Sequence, residues 1–443
     1  MSSSPTLMSA EAPPEGLYET PALPRILEGI PAHGPMSLAE HVEVHGALPL
    51  ERRRRRRAES PLIGEIERAG LLGRGGAGFP TATKLRAVAG ARRQAVVVIN
   101  AAEGEPASRK DRTLCETLPH LVLDGGQLAA QAVGAGEVIV CVCESAPASP
   151  ENIALAIEER ARMPGPEVRM QVVAVPGRYV AGQENALVNH LNGGPALPTF
   201  TPPMAFEQGV RRRPTLINNA ETLAHMALIA RHGSGWFRQL GTPGQPGSAL
   251  ITLSGPVGDP GVYEIEHGAS LASLIDAAGG ATASVRAVLL GGYGGTWIAG
   301  EHLHRLLLSD EHLQPYGASL GAGVVLLLSE HACPVAESAR VARWLAGESA
   351  GQCGPCLNGL DALATTVEAI AGGVAEADAP QRIARLRSLV RRRGACGHPD
   401  GADNFISSAM ETFAAEFAEH ARYGPCEACA APRELPLTSR SIA

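Results

Sequence analysis

The first residues that could do chemistry form a glycine-rich stretch, Gly73-Arg74-Gly75-Gly76-Ala77-Gly78-Phe79-Pro80. Such closely spaced glycines allow backbone N–H groups to approach a phosphate, and a helix beginning after them would direct its positive end at the anion. Arg74 and Lys84 could add positive charge. The stretch matches neither the GxGxxG pattern nor the Walker motif. From composition alone it is therefore either a phosphate loop or a tight turn.

Cysteines form the second group, since their spacing is typical of metal or cluster sites. Cys353 and Cys356 are a C-x2-C pair, and Cys396 follows forty positions later. A 4Fe–4S cluster held by thiolates alone needs four cysteines. A second pair, Cys426 and Cys429, lies near the C-terminus. It could supply a cluster ligand, but we favour a zinc half-site shared with another chain or two free thiols. The remaining four lie in apolar patterns and are predicted to be plain core residues: Cys115, Cys141, Cys143 and Cys333.

The elements that must position these residues follow from apolar runs. A β-α-β-α-β order predicts a parallel sheet with right-handed crossovers, and ligands of such sheets bind beyond the carboxyl ends of the strands. Residues 100–105 and 182–184 follow those ends and are candidate site loops. The predicted strands and helices are residues 95–99, 118–133, 138–142, 153–162 and 168–175.

The pattern changes twice towards the C-terminus. Short strands and one short helix after Gly244 predict a small α+β module, and helical periodicity from Cys333 to about His420 predicts a closing bundle. Residues before about 58 are rich in Pro, Ser and Glu, so we expect little autonomous structure there. The predicted domains are residues 1–58, 59–243, 244–330, 331–422 and a tail at 423–443.

Composition narrows the class of protein. The net charge of −7 over 443 residues makes nucleic acid and anionic membranes unexpected partners. Arg52 to Arg57 form an arginine run that is either a solvated linker or an anion-binding patch. The chain begins with no signal-peptide pattern, and no apolar stretch reaches the ~18 residues of a membrane span. We therefore expect a cytoplasmic protein, either free or peripheral to a membrane complex.

Taken together, these motifs resemble the NADH-binding FMN and iron–sulfur flavoprotein subunit of respiratory complex I. The family includes diaphorase subunits of NAD-linked hydrogenases and formate dehydrogenases. The likeness covers roughly residues 60 to 420, in a divergent form. Besides the glycine stretch it rests on Asn100-Ala101-Ala102-Glu103-Gly104-Glu105-Pro106, Lys110-Asp111-Arg112, Tyr179-Val180-Ala181-Gly182-Gln183-Glu184, Arg213 to Leu223, Ser254-Gly255-Pro256-Val257 and Glu348 to Cys356.

The resemblance implies an α/β fold with a parallel-sheet flavin domain, a ubiquitin-like SLBB-type domain and a C-terminal helical bundle. It implies that Glu105 and Glu184 lie near the nicotinamide, and that Cys353, Cys356 and Cys396 bind an iron–sulfur cluster. From the residues alone, Asn218 and Asn219 could equally be a turn or a helix cap. The residues implied to hold FMN are Gly73, Arg74, Gly75, Gly76, Gly78, Phe79, Lys84, Asn100, Gly182, Asn218 and Asn219.

Several family positions differ in this chain. Ala102 and Gln183 stand where the family has carboxylates, and Thr201 and Met204 replace the lysine and phenylalanine of its Lys-Pro-Pro-Phe motif. Ala350 stands where the family has its first cluster cysteine. The cluster would then have a non-cysteine fourth ligand, an open iron or a three-iron form.

The function implied is electron transfer from NADH to FMN, then to an iron–sulfur cluster and a partner. The expected partner is a thioredoxin-like ferredoxin or another iron–sulfur protein. Two alternatives are a degenerate paralogue that acts as a scaffold, and a flavoprotein that does not use NADH.

Overall fold

A computed structural model describes residues 23–50, 59–162 and 168–437, so the arginine run at 52–57 lies outside the described residues. The first half of the chain forms an α/β unit with four strands. Its elements are α1 Leu38–His45, α2 Pro61–Ala69, α3 Thr81–Ala89, β1 Val96–Ala101, α4 Lys110–Thr117, α5 Pro119–Val133, β2 Glu137–Cys143, α6 Ala148–Ala161, β3 Arg169–Val175, α7 Glu184–Leu191, α8 Ala205–Gln208, β4 Thr215–Asn219 and α9 Ala220–Phe237.

The first sheet is parallel throughout and has the strand order β3-β2-β1-β4. The predicted β-α-β-α-β order is confirmed, whereas β4 was not among the predicted strands because its purely apolar run is only two residues long. The chain leaves β1 towards β2 on one side and returns to β4 on the other. The switch point therefore lies between β1 and β4, where a ligand crevice is expected. Asn100 at the end of β1 is in register with Asn219 of β4.

Residues 23–50 are more ordered than predicted for residues 1–58. Ile26 and Met36 belong to the core of the α/β unit. His41 of α1 lies 2.8 Å from the carboxylate of Asp124 in α5. The low-order prediction is therefore wrong for this segment, because its apolar residues join the core to which α5 and α9 also contribute.

A second sheet follows, with the order β6-β5-β9-β7-β8. Leu253 and Val288 on one face belong to a core within this module. Leu289 and Leu326 on the other face pack with Leu345 of the bundle. The domain boundaries stay predictions, and this core packing crosses the one predicted between residues 330 and 331. The elements are β5 Ser248–Ser254, β6 Gly261–Glu266, α10 Leu271–Ala277, β7 Val285–Leu290, β8 Thr296–Ala299, α11 Asp310–Leu313 and β9 Val324–Ser329.

The C-terminal part is helical, as predicted. Its helices are α12 Pro334–Gly347, α13 Leu360–Ala371, α14 Ala379–Val390, α15 His398–Thr412 and α16 Ala414–Tyr423, with a π-helical turn at Pro355–Gly359. Beyond α16 the predicted tail contains a 3-10 turn, Glu427–Ala430, and buries Leu435 in the bundle core. Among the described residues, no helix combines the length and apolarity needed to cross a bilayer.

Candidate functional site

A cavity of about 710 Å³ lies at the carboxyl ends of β1 and β4. It stands at the predicted switch point. Every residue predicted for flavin or nicotinamide lines it, so the fold brings together side chains that are up to 146 positions apart in the sequence. These are Gly73, Arg74, Gly75, Gly76, Gly78, Phe79, Lys84, Asn100, Glu105, Gly182, Glu184, Asn218 and Asn219.

The glycine stretch forms a closed loop on one wall of the cavity. The Gly73 N–H donates to the Phe79 carbonyl (2.9 Å), and the loop is followed at once by α3. Gly76 has φ +106° and Gly78 has φ +60°, values that side chains rarely adopt. A helix does begin after the loop, and because Gly78 and Phe79 line the cavity, the positive end of α3 lies near it.

The hydrogen bonds of Arg74 stabilise the glycine loop rather than point at a ligand. Its N–H donates to Thr222 Oγ1 at 2.8 Å, and its guanidinium donates to the Ser248 carbonyl at 3.0 Å. Burial lowers the pKa of Arg74, and the nearby carboxylate of Glu221 opposes that shift. The hydrogen bonds of Arg74 therefore connect the glycine loop to the second sheet.

The three asparagines differ in what they bind. Asn100 donates to the Gly182 carbonyl (2.8 Å), and Asn219 accepts from the Glu221 N–H (3.0 Å), which caps α9. The helix-cap alternative is thus realised by Asn219. Asn218 is only 4% exposed, and its Nδ2 has no hydrogen-bond partner in the described ranges. Leaving a buried amide unpaired costs about 1–3 kcal/mol, so this group fits a polar ligand in the cavity.

A buried charge network lies beneath the loop. Lys110 Nζ lies 2.9 Å from Glu221 and 3.0 Å from Asp111. Burial alone lowers the pKa of Lys110, but these carboxylates raise it overall. Glu103, beside Asp111, has its pKa raised to about 7 by burial and by that neighbouring charge. The sequence motifs contain several of these residues, but sequence reasoning did not assign them to the site.

The two predicted catalytic glutamates have different surroundings. Glu105 is buried and accepts N–H bonds from Tyr293 (2.8 Å) and Ala107 (3.3 Å), and burial raises its pKa to about 7. Glu184 is half-exposed and forms an ion pair with Lys84. The two glutamates therefore offer the cavity one buried carboxyl that changes charge near neutral pH and one half-exposed carboxylate that is paired with a lysine.

Two further walls come from outside the first unit, and sequence reasoning missed both. Gly291, Gly294 and Gly321 contribute from turns of the second sheet, and His398 from the start of α15. A Cβ at Gly292 would lie 2.5 Å from the Glu105 carboxylate, so this turn must be glycine-rich to meet the site. Its signal in the sequence is the run Gly291-Gly292-Tyr293-Gly294-Gly295.

The departures from the family pattern divide by location. Ala102 and Gln183 line the cavity, so its wall lacks the two carboxylates that the family has at these positions. Thr201 and Met204 are exposed on the surface and do not line it.

The three predicted cluster cysteines meet around a small cavity that also includes Ala350 and Gln352. Burial raises the pKa of the Cys353 thiol, but hydrogen bonds from the N–H groups of Ala395 and Cys356 lower it by more. The pKa is therefore lowered overall, which favours a thiolate. The methyl group of Ala350 cannot bind iron. The donor set is thus three sulfurs, which fits a cluster whose fourth iron lacks a cysteine ligand.

The tail cysteines do not belong to that cavity. Cys426 and Cys429 lie with Cys333, the N-cap of α12, while Ala350 follows the other end of this 14-residue helix. A helix of that length spans about 21 Å, which rules out the tail as a source of the fourth cluster ligand. Cys333 is buried in the bundle core, as predicted, and its sulfur also lies within 4.8 Å of the sulfurs of Cys426 and Cys429. Cys115, Cys141 and Cys143 are buried, as predicted.

Family models match three stretches of the chain in the same order as these sites. They are the Nuo51 FMN-binding domain at residues 66–228, the SLBB domain at 250–295 and the NADH-ubiquinone oxidoreductase-F iron–sulfur binding region at 336–420. The F 2 subunit of the NADH-quinone oxidoreductase of Rhizobium meliloti is 32% identical over 82% of this chain and 89% of its own length. This chain belongs to the NADH-quinone oxidoreductase F family. The resemblance seen in the motifs is confirmed.

Other members of the NADH-quinone oxidoreductase F family carry related names. NADP-reducing hydrogenase subunit HndC of Solidesulfovibrio fructosivorans is 29% identical over 82% of this chain and 76% of its own. Among solved structures, an NAD+-reducing NiFe-hydrogenase superposes with a TM-score of 0.76 at 34% identity. That match covers 82% of this chain and 63% of the hydrogenase chain, so this protein spans less than two thirds of that neighbour.

Proposed function

We propose that this member of the family oxidises NADH at an FMN bound in the cavity and delivers single electrons to an iron–sulfur cluster at Cys353, Cys356 and Cys396. When bound, FMN would supply hydride acceptance and one-electron release, and the cluster one-electron acceptance. The protein's part is to bind, orient and tune the charge around them.

One observation carries the proposal. The predicted flavin residues converge on a single cavity at the sheet's switch point, and the buried amide of Asn218 there has no partner in the described residues. A ribityl or ring oxygen would satisfy that donor. The α3 N-terminus and the positive-φ glycines suit the phosphate, because they let main-chain N–H groups approach an anion without a Cβ in the way.

Roles for the individual side chains follow from their contacts. Lys84 can release Glu184 to meet a phosphate, since both partners are partly exposed. Arg74 and Asn219 hold the loop and α9 in place. Glu105, with its pKa raised to about 7, can hold or release a proton on the cavity wall near neutral pH. These assignments extend the family's pattern to this chain residue by residue.

A flavoprotein that does not use NADH is the second candidate. Ala102 and Gln183 remove two carboxylates from the cavity wall, and Met204 offers no aromatic face for an adenine. Anaerobic addition of NADH separates the two functions. Bleaching of the flavin absorbance supports the first, whereas bleaching only by a reduced ferredoxin or dithionite supports the second.

Partner and location are part of the proposal. The relatives are named as subunits, and a one-electron carrier such as a thioredoxin-like ferredoxin would fit the open side of a cluster at Cys353. We propose a cytoplasmic site of action, either free or at the periphery of a membrane complex. All nine cysteines are free, as expected for a reducing compartment.

The cavity assignment is tested with Asn218→Leu. Because leucine removes an unpaired buried amide without changing the side-chain volume much, the apo fold should be as stable or more stable. FMN affinity should fall by up to about tenfold, the value of one hydrogen bond. FMN titration followed by flavin fluorescence measures this. Asn152→Leu, which removes a hydrogen bond to the Glu116 carbonyl outside the cavity, should leave FMN affinity unchanged. Equal affinity in both variants would contradict the assignment.

A further inference from the structure

Four potential metal ligands converge at the N-terminal end of α12. They are Cys333, His420, Cys426 and Cys429, and their ligand atoms all lie within 4.8 Å of one another. His420 Nε2 lies 3.4 Å from Cys333 Sγ and 3.9 Å from Cys429 Sγ. The sulfurs of Cys426 and Cys429 are 3.7 Å apart, well beyond the ~2.05 Å of a disulfide.

These separations are those of a tetrahedron around one ion. Zinc binds sulfur at about 2.3 Å and imidazole nitrogen at about 2.0 Å, so neighbouring ligands of a tetrahedral site stand about 3.5–3.8 Å apart. The separations of 3.4, 3.7 and 3.9 Å fall close to that range. A four-iron cluster needs its ligands spread around the outside of a cube, and this pocket is too tight for it.

Neighbouring groups orient the ligands for a metal. The buried His420 ring places Nδ1 3.1 Å from the Ala371 carbonyl, so Nδ1–H donates there and leaves the Nε2 lone pair facing the sulfurs. The Ala336 N–H donates to Cys333 Sγ (3.3 Å), which fixes the position of this sulfur at the N-cap of α12. Both contacts hold a ligand atom towards the other members of the group.

We propose that Cys333, His420, Cys426 and Cys429 bind one zinc ion in a closed structural site that fastens the C-terminal segment to the bundle. Three cysteines and one histidine fill all four positions, which leaves no open position for catalysis. The site is complete within one chain, unlike the shared half-site expected from the sequence.

The segment held by the site reaches back to the second sheet. The Glu434 carboxylate accepts from the Ser329 N–H (2.9 Å), and the Tyr293 hydroxyl donates to the Pro436 carbonyl (2.5 Å). Leu435 is buried, and its carbonyl accepts from Arg340 of α12. Tyr293 is the residue whose N–H bonds to Glu105 in the cavity. The zinc site therefore supports a segment that packs behind one wall of the main cavity.

Elemental analysis of the purified holoprotein tests the proposal. We expect one zinc per chain in addition to the iron. Cys429→Ala should lower zinc at least tenfold and leave iron and FMN unchanged. Cys115→Ala is the matched control, since Cys115 is a buried thiol that belongs to no ligand cluster within the described part of the chain, and it should retain zinc. Zinc absent from the wild type, a Cys426–Cys429 disulfide in the mass spectrum, or loss of iron instead of zinc in Cys429→Ala would overturn the assignment.

Two measurements on wild-type protein remain informative if Cys429→Ala fails to fold. Cobalt exchanged for zinc should show the long-wavelength bands of tetrahedral thiolate-bound cobalt, and octahedral bands would overturn the geometry. Removing zinc with a chelator should speed tryptic cleavage after Arg433, because this exposed side chain precedes Glu434 and Leu435, which are held against the sheet and the bundle. An unchanged cleavage rate after the metal has left would overturn the fastening role. None of these readouts depends on FMN or NADH.

Discussion

The two ends of α12 carry contrasting cysteine sites. At the C-terminal end, Cys353 and Cys356 form the C-x2-C motif of the family, yet one of the four family positions is Ala350. At the N-terminal end, the sequence offered only the Cys426 and Cys429 pair, a half-site at most, yet Cys333 and His420 complete a set of four potential ligands. A familiar spacing therefore does not guarantee a complete site, and half a motif does not exclude one.

The reason for this difference is how far apart the ligands lie in sequence. A C-x2-C pair is local and can be recognised directly. Cys333 and His420 are separated by 87 positions and meet only because α12 and α16 pack side by side. The variants below test whether the two ends of α12 differ in this way.

The largest effect is expected for Cys356→Ala. Removing one of three thiolates should release essentially all of the iron, while zinc at the far end of α12 stays bound. Iron and zinc are measured by elemental analysis of the same sample. Cys429→Ala provides the reciprocal variant, and simultaneous loss of both metals in either one would show that the two sites are not independent.

The next effect concerns side-chain packing. Leu435→Ala should lower the free energy of unfolding by about 2–4 kcal/mol, because Leu435 is buried in the bundle core by the fastened segment. Leu357→Ala, next to the cluster cysteines, should change it by less than about 0.5 kcal/mol, since that side chain is 61% exposed. Urea unfolding of metal-replete protein compares them. Equal costs would mean that the C-terminal segment is not packed as described.

A smaller contrast is expected between two glycines with the same backbone conformation. At Gly373 (φ +68°) and at Gly351 (φ +64°), replacement by alanine should lower the free energy of unfolding by about 1 kcal/mol because of the positive φ. A Cβ at Gly373 would also lie 2.4 Å from the Gly424 Cα, where the C-terminal segment begins, whereas nothing in the described ranges lies within 4 Å at Gly351. Gly373→Ala should therefore lower the free energy of unfolding by about 1–2 kcal/mol more than Gly351→Ala does. Thermal unfolding of the two variants measures this difference. Identical costs would place the segment away from Gly373.

The smallest effect is expected for Ala350→Cys, which restores the fourth ligand. Iron should rise by about one atom per chain towards four, and the cluster should survive air longer because no iron is left open. Elemental analysis and the decay of the iron–sulfur absorbance report this. Unchanged iron would mean that residue 350 does not face the cluster.

Most of the fold was predictable, because it depends on local periodicity. The apolar runs of β1, β2 and β3 alternate with helical patterns, and that order leads to a parallel sheet with a crevice beyond its carboxyl ends. The loops at residues 100–105 and 182–184 could be named as candidate site loops for the same reason, whereas the individual flavin residues were implied by the family resemblance. The strand β4 escaped prediction because two apolar residues are too short a signal.

The sequence by itself determined the elements, the glycine loop and the C-x2-C pair, since each depends on residues close together in the chain. Only the tertiary structure decided that Glu105 is buried against the Tyr293 N–H, that Asn218 rather than Asn219 keeps an amide without a partner in the described residues, and that Cys333 meets His420. These outcomes depend on which distant surfaces exclude water together. Burial and ligand convergence are properties of packing, and no local pattern encodes them.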